Sequence, residues 1–284
     1  MFAQMAHCCL LRRQAEVLFS RKDISNSQLC EEASMPDGGT EDGKYGTKPR
    51  MCYIICSSPR SGSTLLAQAL RDMGIGHPGE YLNPSLVEKT HSGERQDFME
   101  PTPTKYIARL KQTRTVNGIF GLKTHYTDLA RYPEIADHIG TLFPDAKYIS
   151  ITRRNVLRQA ISAAKAAQTM AWTSHLERRK PARFNYYAIL KNVVITLREI
   201  EWWDKFFARH GIKPLRVVYE DLDEDYEGTL RNVINFLRVE GTIPPPPLKK
   251  QADSQNDAWV EEFANYFRRK AAIGWAIRLV SRRW

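Results

Sequence analysis

The chain has 284 residues, of which 42% are hydrophobic and 10% aromatic, which supports a packed core and argues against intrinsic disorder. Lys and Arg (42) outnumber Asp and Glu (32), and the formal net charge of +10 favours polyanionic partners such as a multiply charged nucleotide. No apolar run reaches the length of a transmembrane helix, and no nucleic-acid-binding motif is recognisable. We therefore predict neither an integral membrane segment nor a nucleic-acid partner.

The cysteines give no disulfide framework, because their number is odd and two of them are adjacent. This pattern favours reduced thiols and a cytoplasmic location. Residues 1–50 have a different composition from the rest and include a polar, linker-like stretch. We predict that residues 1–50 form a mobile or weakly helical extension, with a short helix over 9–19, and that residues 51–284 form one domain.

The most informative stretch is residues 51–74, which predicts a strand, a tight loop and a helix. Residues 51–56 are a short apolar run typical of a buried strand, and Gly74 ends the apolar helical pattern that follows. A loop between a buried strand and a helix N-terminus presents backbone N–H groups to an anion, with phosphate the best fit. The loop lacks the Gly-Lys pair of the Walker A motif and carries Arg60 as its cation.

Further strands are predicted at 118–123, 147–152 and 215–219, in alternation with helices. Further helices are predicted at 106–113, 129–142, 156–170, 186–209 and 229–239, and in the second part of 251–267, after its polar residues. Such alternation is typical of an α/β fold with a parallel sheet, whose ligands bind beyond the carboxyl ends of the strands. The aromatic residues of the helix over 186–209 are predicted to lie in the core or at a subunit interface, and Glu220-Asp221 to cap the turn before the next helix.

Cationic residues follow three of the predicted strands. Arg60 follows the first, Lys123 ends the second, and Arg153-Arg154 follow the third. Because the strands are expected to be parallel, these side chains should converge at one edge of the sheet. This convergence is a stronger indication of an anion site than the loop alone.

Four separated blocks, in order, resemble the bacterial carbohydrate sulfotransferases, in particular the trehalose 2-sulfotransferase family. They are SGSTLL at 61–66, GEY at 79–81, RQAIS at 158–162 with QT at 168–169 and Trp172, and QAD at 251–253 with Asp257 and Trp259-Val260. The resemblance covers residues 51 to about 267. It implies a P-loop-like three-layer sandwich (the sulfotransferase fold), a homodimer, and a sulfotransferase that uses 3′-phosphoadenosine 5′-phosphosulfate (PAPS) without a metal to sulfate a carbohydrate hydroxyl.

The resemblance also implies roles for individual residues. Glu80 is the expected general base, and Arg60 and Lys123 are expected to be catalytic, near the transferred group. For Lys123 a structural role as the partner of a carboxylate is an equal alternative. The C-terminal segment is expected to close over the nucleotide. The expected donor-binding residues are Arg60, Ser61, Gly62, Ser63 and Thr64 for the 5′-phosphosulfate, Arg153 (or Arg154) and Ser162 for the 3′-phosphate, and Lys250 and Gln251 for the closing segment.

Several alternatives stay open at this stage. A P-loop kinase or NTPase would need magnesium and the missing Walker lysine, and a non-catalytic basic protein would bind nucleic acid or anionic surfaces without turnover. His125 is a rival base, although a polar residue at a strand end is the simpler interpretation. The acceptor itself is open, since its pocket is expected from the variable segments 80–104 and 173–184, and the residues after Glu80 depart from the family pattern.

Overall fold

The computed structural model describes residues 49–83, 103–172, 181–246 and 254–281, with side chains of the last helix up to residue 270. Its centre is a four-stranded, fully parallel sheet in the order β2-β1-β3-β4. The strands are β1 (Met51–Ser57), β2 (Ile119–His125), β3 (Lys147–Thr152) and β4 (Leu215–Val218). The predicted parallel sheet is therefore confirmed, and Ile55 of β1 is in register with Lys123 and Ile149.

Ten helices surround the sheet in the described residues. They are α1 (Ser63–Asp72), α2 (Pro103–Thr113), α3 (Tyr126–Leu129), α4 (Pro133–Asp137), α5 (Ile139–Leu142), α6 (Val156–Thr169), α7 (Tyr186–Arg209), α8 (Tyr219–Glu224), α9 (Tyr226–Leu237) and α10 (Ser254–Ser281). None of them is both long enough and apolar enough to span a bilayer.

The single helix predicted over 129–142 is wrong. The chain there forms three short helices, with Pro133 at the first position of α4 and a break at His138. Proline lacks a backbone N–H and its ring clashes with the preceding turn, so it starts a helix more readily than it continues one. The apolar pattern did identify residues of the core, because Leu129, Ile135 and Ile139 are all buried.

Alternate residues of β1 face opposite layers of the core, as the two-residue period of a strand requires. Ile54 packs with aromatic residues of α7, while Ile55 packs with α1 and α9. The sheet is therefore the middle of three layers. Of the α7 aromatic residues predicted to lie in the core or at an interface, Trp203, Phe206 and Phe207 are buried in the core.

The C-terminal helix α10 packs against α6 and α7. Lys165 of α6 donates a hydrogen bond from Nζ to Asn256 Oδ1 at 3.0 Å, and its ammonium lies 5.5 Å from the centroid of the Trp259 ring. Tyr186 of α7 stacks on Phe263 with 4.8 Å between ring centroids. These contacts fix α10 beside the helix that carries Ser162.

Candidate active site

The loop between β1 and α1 has the geometry of an anion cradle. Arg60 (φ 64°) and Gly62 (φ 93°) are both in the left-handed region, and Gly62 precedes α1 without any side-chain cap. The N–H groups of the first helical turn have no intrahelical acceptors, so they and the helix dipole are available to a bound anion. The buried hydroxyl of Ser61 also has no hydrogen-bond partner among the described residues. An anion seated in this loop would satisfy these donors.

Tyr219 closes one side of the loop directly over Gly62. A Cβ atom added to Gly62 would lie 2.4 Å from Cδ2 of the Tyr219 ring. Glycine is therefore required at position 62 for two reasons: its left-handed backbone conformation and the Tyr219 ring above it.

Gln159 of α6 holds the loop from below and was missed by sequence reasoning. Its Nε2 donates to Ser58 Oγ at 2.8 Å and to the Pro59 carbonyl at 2.7 Å, and the side chain is fully buried. The available signal was a long polar residue directly before Ala160-Ile161 in an amphipathic helix. Its backbone contact with the loop explains why that position is polar.

Arg60 connects the loop to α6. Its Nε donates to Ser162 Oγ at 2.9 Å, and its guanidinium also contacts the Trp172 carbonyl. Burial and the nearby Arg153 guanidinium lower the pKa of Arg60, but an arginine stays cationic in proteins. The structure thus brings together Arg60, Arg153 and Ser162, which the sequence placed on different elements.

The adjacent arginines after β3 have different surroundings. Arg153 lies over the Tyr219 ring, 4.6 Å from its centroid. Its buried Nε lies 3.7 Å from Glu220 Oε1 and has no hydrogen-bond partner in the part of the chain that the structure describes. Arg154 forms an ion pair with Asp221 and is 58% exposed. The arginine beside the loop is therefore Arg153.

Glu220 does not have the capping role that the sequence suggested. It lies inside α8, and its carboxylate accepts hydrogen bonds from Arg154 N at 2.9 Å and Asn155 N at 3.2 Å. Asp225 caps the next helix instead, by accepting from Gly228 N. Glu220 therefore fixes the turn that presents Arg153.

Glu80 and Lys123 form a buried ion pair beside the start of α1. Lys123 Nζ lies 2.8 Å from Glu80 Oε1 and donates to Thr64 Oγ1 at 3.2 Å; the two charged side chains are only 9% and 13% exposed. Asn83 donates to the other carboxylate oxygen of Glu80 at 3.0 Å, and Lys123 N donates to the Gly79 carbonyl at 2.9 Å. The predicted base and the predicted strand-end cation are therefore in direct contact.

His125 completes this cluster. Its Nε2 lies 3.5 Å from Glu80 Oε1 and its Nδ1 lies 3.1 Å from Ser57 Oγ. Burial alone would raise the pKa of Glu80, but Lys123 and His125 hold it well below its usual range. Burial alone would lower the pKa of His125, but Glu80 raises it. The strand-end histidine is thus part of the carboxylate's environment.

Some predicted residues lie outside the described part of the chain. These are Lys250, Gln251, the whole extension up to residue 48, and most of the two segments expected to form the acceptor pocket. In the residues that the structure does describe, there is no group of three or more His, Cys, Asp or Glu side chains arranged to hold a metal ion.

Comparison with known proteins identifies the family. The model of the Stf0 sulphotransferase family matches residues 52–266. The chain belongs to the Stf0 sulphotransferase family. It is 28% identical over 250 residues to the trehalose 2-sulfotransferase of Mycolicibacterium smegmatis and 25% identical over 249 residues to that of Mycobacterium tuberculosis, covering 74% of this chain and 93% of each relative. The predicted family and enzyme class are confirmed, and the protein is a sulfotransferase.

Similarity to solved structures is weaker. A sulfotransferase from Alicyclobacillus acidocaldarius aligns with a TM-score of 0.44 at 16% identity, covering 79% of this chain and 95% of that one. The sulfotransferase domain of the Synechococcus PCC 7002 olefin synthase aligns with a TM-score of 0.40 at 23% identity, covering 69% and 75%.

The surroundings of Asp128 in this sulfotransferase disfavour the ionised form of its carboxyl group. Burial raises its pKa to about 6; His125 opposes that shift, and Glu80 and Glu199 reinforce it. The raised value is well above the pKa of about 3.9 expected in the unfolded chain. The protonated carboxyl is therefore favoured by the fold, and ionisation of Asp128 costs stability.

We expect Asp128→Asn to become progressively more stabilising, relative to the wild type, as the pH rises from about 4 to 7. The wild type loses this contribution as the pH rises through the folded pKa of about 6, whereas asparagine cannot ionise. Urea unfolding at several pH values measures the difference. Asp145→Asn, at an exposed position, is the control, and equal pH dependence in the two variants would contradict this account.

We expect Gly62→Ala to lower the free energy of unfolding by about 1–3 kcal/mol, because alanine is strained at φ 93° and would displace Tyr219. Gly140→Ala is the matched control, since a Cβ there would meet no described residue within 4 Å. Denaturant unfolding compares the two, with affinity for adenosine 3′,5′-bisphosphate as a second measurement. Equal stability and affinity in both variants would show that Gly62 is not required.

Proposed function

We propose that this sulfotransferase moves the sulfuryl group of PAPS to a carbohydrate hydroxyl, with Glu80 as general base. The observation that carries the proposal is the position of Lys123, whose ammonium contacts both Glu80 and Thr64. Thr64 lies in the first turn of α1, where the anion loop ends, and shares the Lys123 ammonium with Glu80. A donor group in the loop and an acceptor hydroxyl at Glu80 would therefore meet beside one lysine.

The loop fits the 5′-phosphosulfate end of the donor. Its unsatisfied Ser61 hydroxyl, the uncapped N-terminus of α1 and the Arg60 guanidinium all favour an anion. The transferred group and the leaving phosphate oxygen both carry negative charge, and fixed donors stabilise that charge without reorganising. Arg60, Lys123 and the loop N–H groups supply these donors.

Arg153 and Ser162 are the proposed ligands of the 3′-phosphate. Both lie close to Arg60, and the buried Nε of Arg153 has no hydrogen-bond partner among the residues that the structure describes. Arg154 is the weaker candidate because its guanidinium is engaged by Asp221 and mostly exposed. A phosphate contacted by Arg153 and Ser162 would receive charge-assisted hydrogen bonds from two elements of the fold.

Glu80 suits the base role because it is ionised, buried and held by several contacts. An attacking alcohol must lose its proton, and a carboxylate within hydrogen-bond reach can accept it. A strong ion pair with Lys123 weakens this carboxylate as a base, so its basicity should rise when the ammonium turns toward a sulfuryl oxygen. Lys123 would then both stabilise the transferred group and release the base.

The acceptor is proposed to be a sugar, because the two curated relatives covered over 93% of their length are trehalose 2-sulfotransferases. Trehalose is the first candidate, and other glycoconjugates share its hydroxyl chemistry. The proposal further includes a homodimer and a cytoplasmic location, which follow from the family resemblance and the reduced cysteines.

We expect Arg153→Ala to weaken the binding of adenosine 3′,5′-bisphosphate at least 10-fold, because it removes a charged ligand of the 3′-phosphate (about 1.4 kcal/mol). Arg154→Ala is the matched control and should change the affinity less than about 3-fold, since an exposed ion pair contributes little. Calorimetry with the bisphosphate, beside ATP with Mg²⁺, measures both. Tight binding of ATP with Mg²⁺ and none of the bisphosphate would overturn the proposed donor, and a larger loss at Arg154 would reassign the phosphate ligand.

We expect Glu80→Gln to lower kcat by about 10²- to 10⁴-fold, because the amide cannot accept the hydroxyl proton. The affinity for adenosine 3′,5′-bisphosphate should stay within about 3-fold. Transfer of a labelled sulfuryl group from PAPS to trehalose and a panel of other sugars measures the rate, with the exposed Glu261→Gln as control. Normal turnover in Glu80→Gln would remove Glu80 from the reaction.

A further inference from the structure

His125 lies between the Glu80 carboxylate and the end of β1, and no step of the proposed reaction uses it. We infer that His125 is the positioning residue of Glu80, and that helix α7 fixes this histidine through Glu199 and Trp203. The inference rests on the proposed role of Glu80 as base. It assigns His125 an effect on catalysis that acts only through that carboxylate.

The hydrogen bonds of the ring determine its protonation. Ser57 Oγ lies 3.1 Å from His125 Nδ1 and 3.4 Å from the Thr124 carbonyl, and its hydroxyl can accept a hydrogen bond from Nδ1 while donating to that carbonyl. The Ser57 carbonyl, 3.3 Å from the same nitrogen, can only accept. Nδ1 therefore carries a proton. Nε2 faces Glu80 Oε1 at 3.5 Å, where a bare lone pair would be repelled by the carboxylate, so the imidazolium is the form that fits.

A ring that is protonated on both nitrogens cannot act as the base. Both ring nitrogens carry protons and point at acceptors, so the ring has no lone pair for the proton of an acceptor hydroxyl. What the ring can do is hold Glu80 Oε1 in place with a charge. The raised pKa of His125, which Glu80 causes against the effect of burial, agrees with this state.

Helix α7 holds both chain segments that contact the ring. Glu199 accepts hydrogen bonds from Tyr126 N at 2.7 Å and Thr127 N at 3.0 Å, the two residues directly after His125. Trp203 donates from Nε1 to the Ser57 carbonyl at 2.9 Å. Glu199 and Trp203 are one helical turn apart and both buried, so one face of α7 fixes both segments.

Glu80 needs such a support because Lys123 also contacts the loop. If the lysine turns toward a sulfuryl oxygen, the contacts of Glu80 that remain among those described here are His125 on Oε1 and Asn83 on Oε2. A carboxylate held on one side only can rotate away from the attacking hydroxyl, and misplacement of about 1 Å costs up to about 10²-fold in rate. His125 should therefore affect kcat more than donor binding.

The experiment compares His125→Gln with His125→Asn, two amides that differ by one methylene. Glutamine places its amide near the position of Nε2 and keeps the contact with Glu80, whereas asparagine reaches only the position of Nδ1 and keeps the contact with Ser57. We expect His125→Asn to lower kcat about 10-fold or more and His125→Gln about 3-fold or less. Affinity for adenosine 3′,5′-bisphosphate should be unchanged in both. In a Glu80→Gln background, His125→Asn should add less than about 2-fold, because the two residues act as one unit.

The outcomes separate this inference from the proposed function. Normal turnover in Glu80→Gln would overturn the base, and with it the inference. A slow Glu80→Gln enzyme with a normal His125→Asn enzyme would overturn the inference alone. A full additional loss from His125→Asn in the Glu80→Gln background would show that His125 acts independently. Should His125→Asn fail to fold, Ser57→Ala replaces it, with an expected 2- to 5-fold loss of kcat; an unchanged kcat there would also overturn the inference.

Discussion

The contact between Lys123 and Glu80 is the constraint on which the rest of the site depends. Two opposite charges are almost withdrawn from water, and the cost of that burial is met only because each remains paired and hydrogen-bonded. The backbone provides the alignment: Lys123 N donates to the carbonyl of Gly79, the residue before Glu80. The turn after α1 is thus joined to the end of β2 before any substrate binds. The same lysine touches Thr64, so the pair also connects the carboxylate to the anion loop.

The helical layer behind the sheet stabilises this arrangement. Glu199 and Trp203 sit on the core face of α7, the helix whose aromatic side chains pack under the sheet. Trp203 donates to the Ser57 carbonyl at the end of β1, where the anion loop begins. Glu199 accepts from the N–H group of Tyr126, directly after His125 at the end of β2. Helix α6, which packs against α7, contributes Gln159, whose amide donates to the Pro59 carbonyl of the loop. The groups proposed to react are therefore supported by the packed core, which changes shape less readily than surface loops do.

Sequence reasoning identified the parts of this site that follow from the topology of the chain. Parallel strands end at one edge, so Arg60, Lys123 and Arg153 could be expected together once the strands were recognised. Contacts between distant elements could not be found in this way. Glu199 is 73 residues from the N–H group of Tyr126 that it holds, and nothing in the local pattern around it indicates a partner. The choice between Arg153 and Arg154 also escaped the sequence, because it depends on where α8 places Tyr219 and Asp221.

The cluster around His125 concentrates charge that a fold selected only for stability would avoid. Burial raises the pKa of Asp128 to about 6 against the attraction of His125, and the carboxylates of Glu80 and Glu199 reinforce the shift. Their mutual repulsion destabilises the folded state, and a neutral residue at Asp128 would relieve part of it. The positive charges of Lys123 and His125 offset part of this repulsion. Because both cations contact the same oxygen of Glu80, the departure of one toward an anionic substrate leaves the other in place. A carboxylate that stays aligned while its electrostatic environment changes combines a fixed position with a variable basicity. This combination is what a base needs if its proton transfer is to wait for the donor.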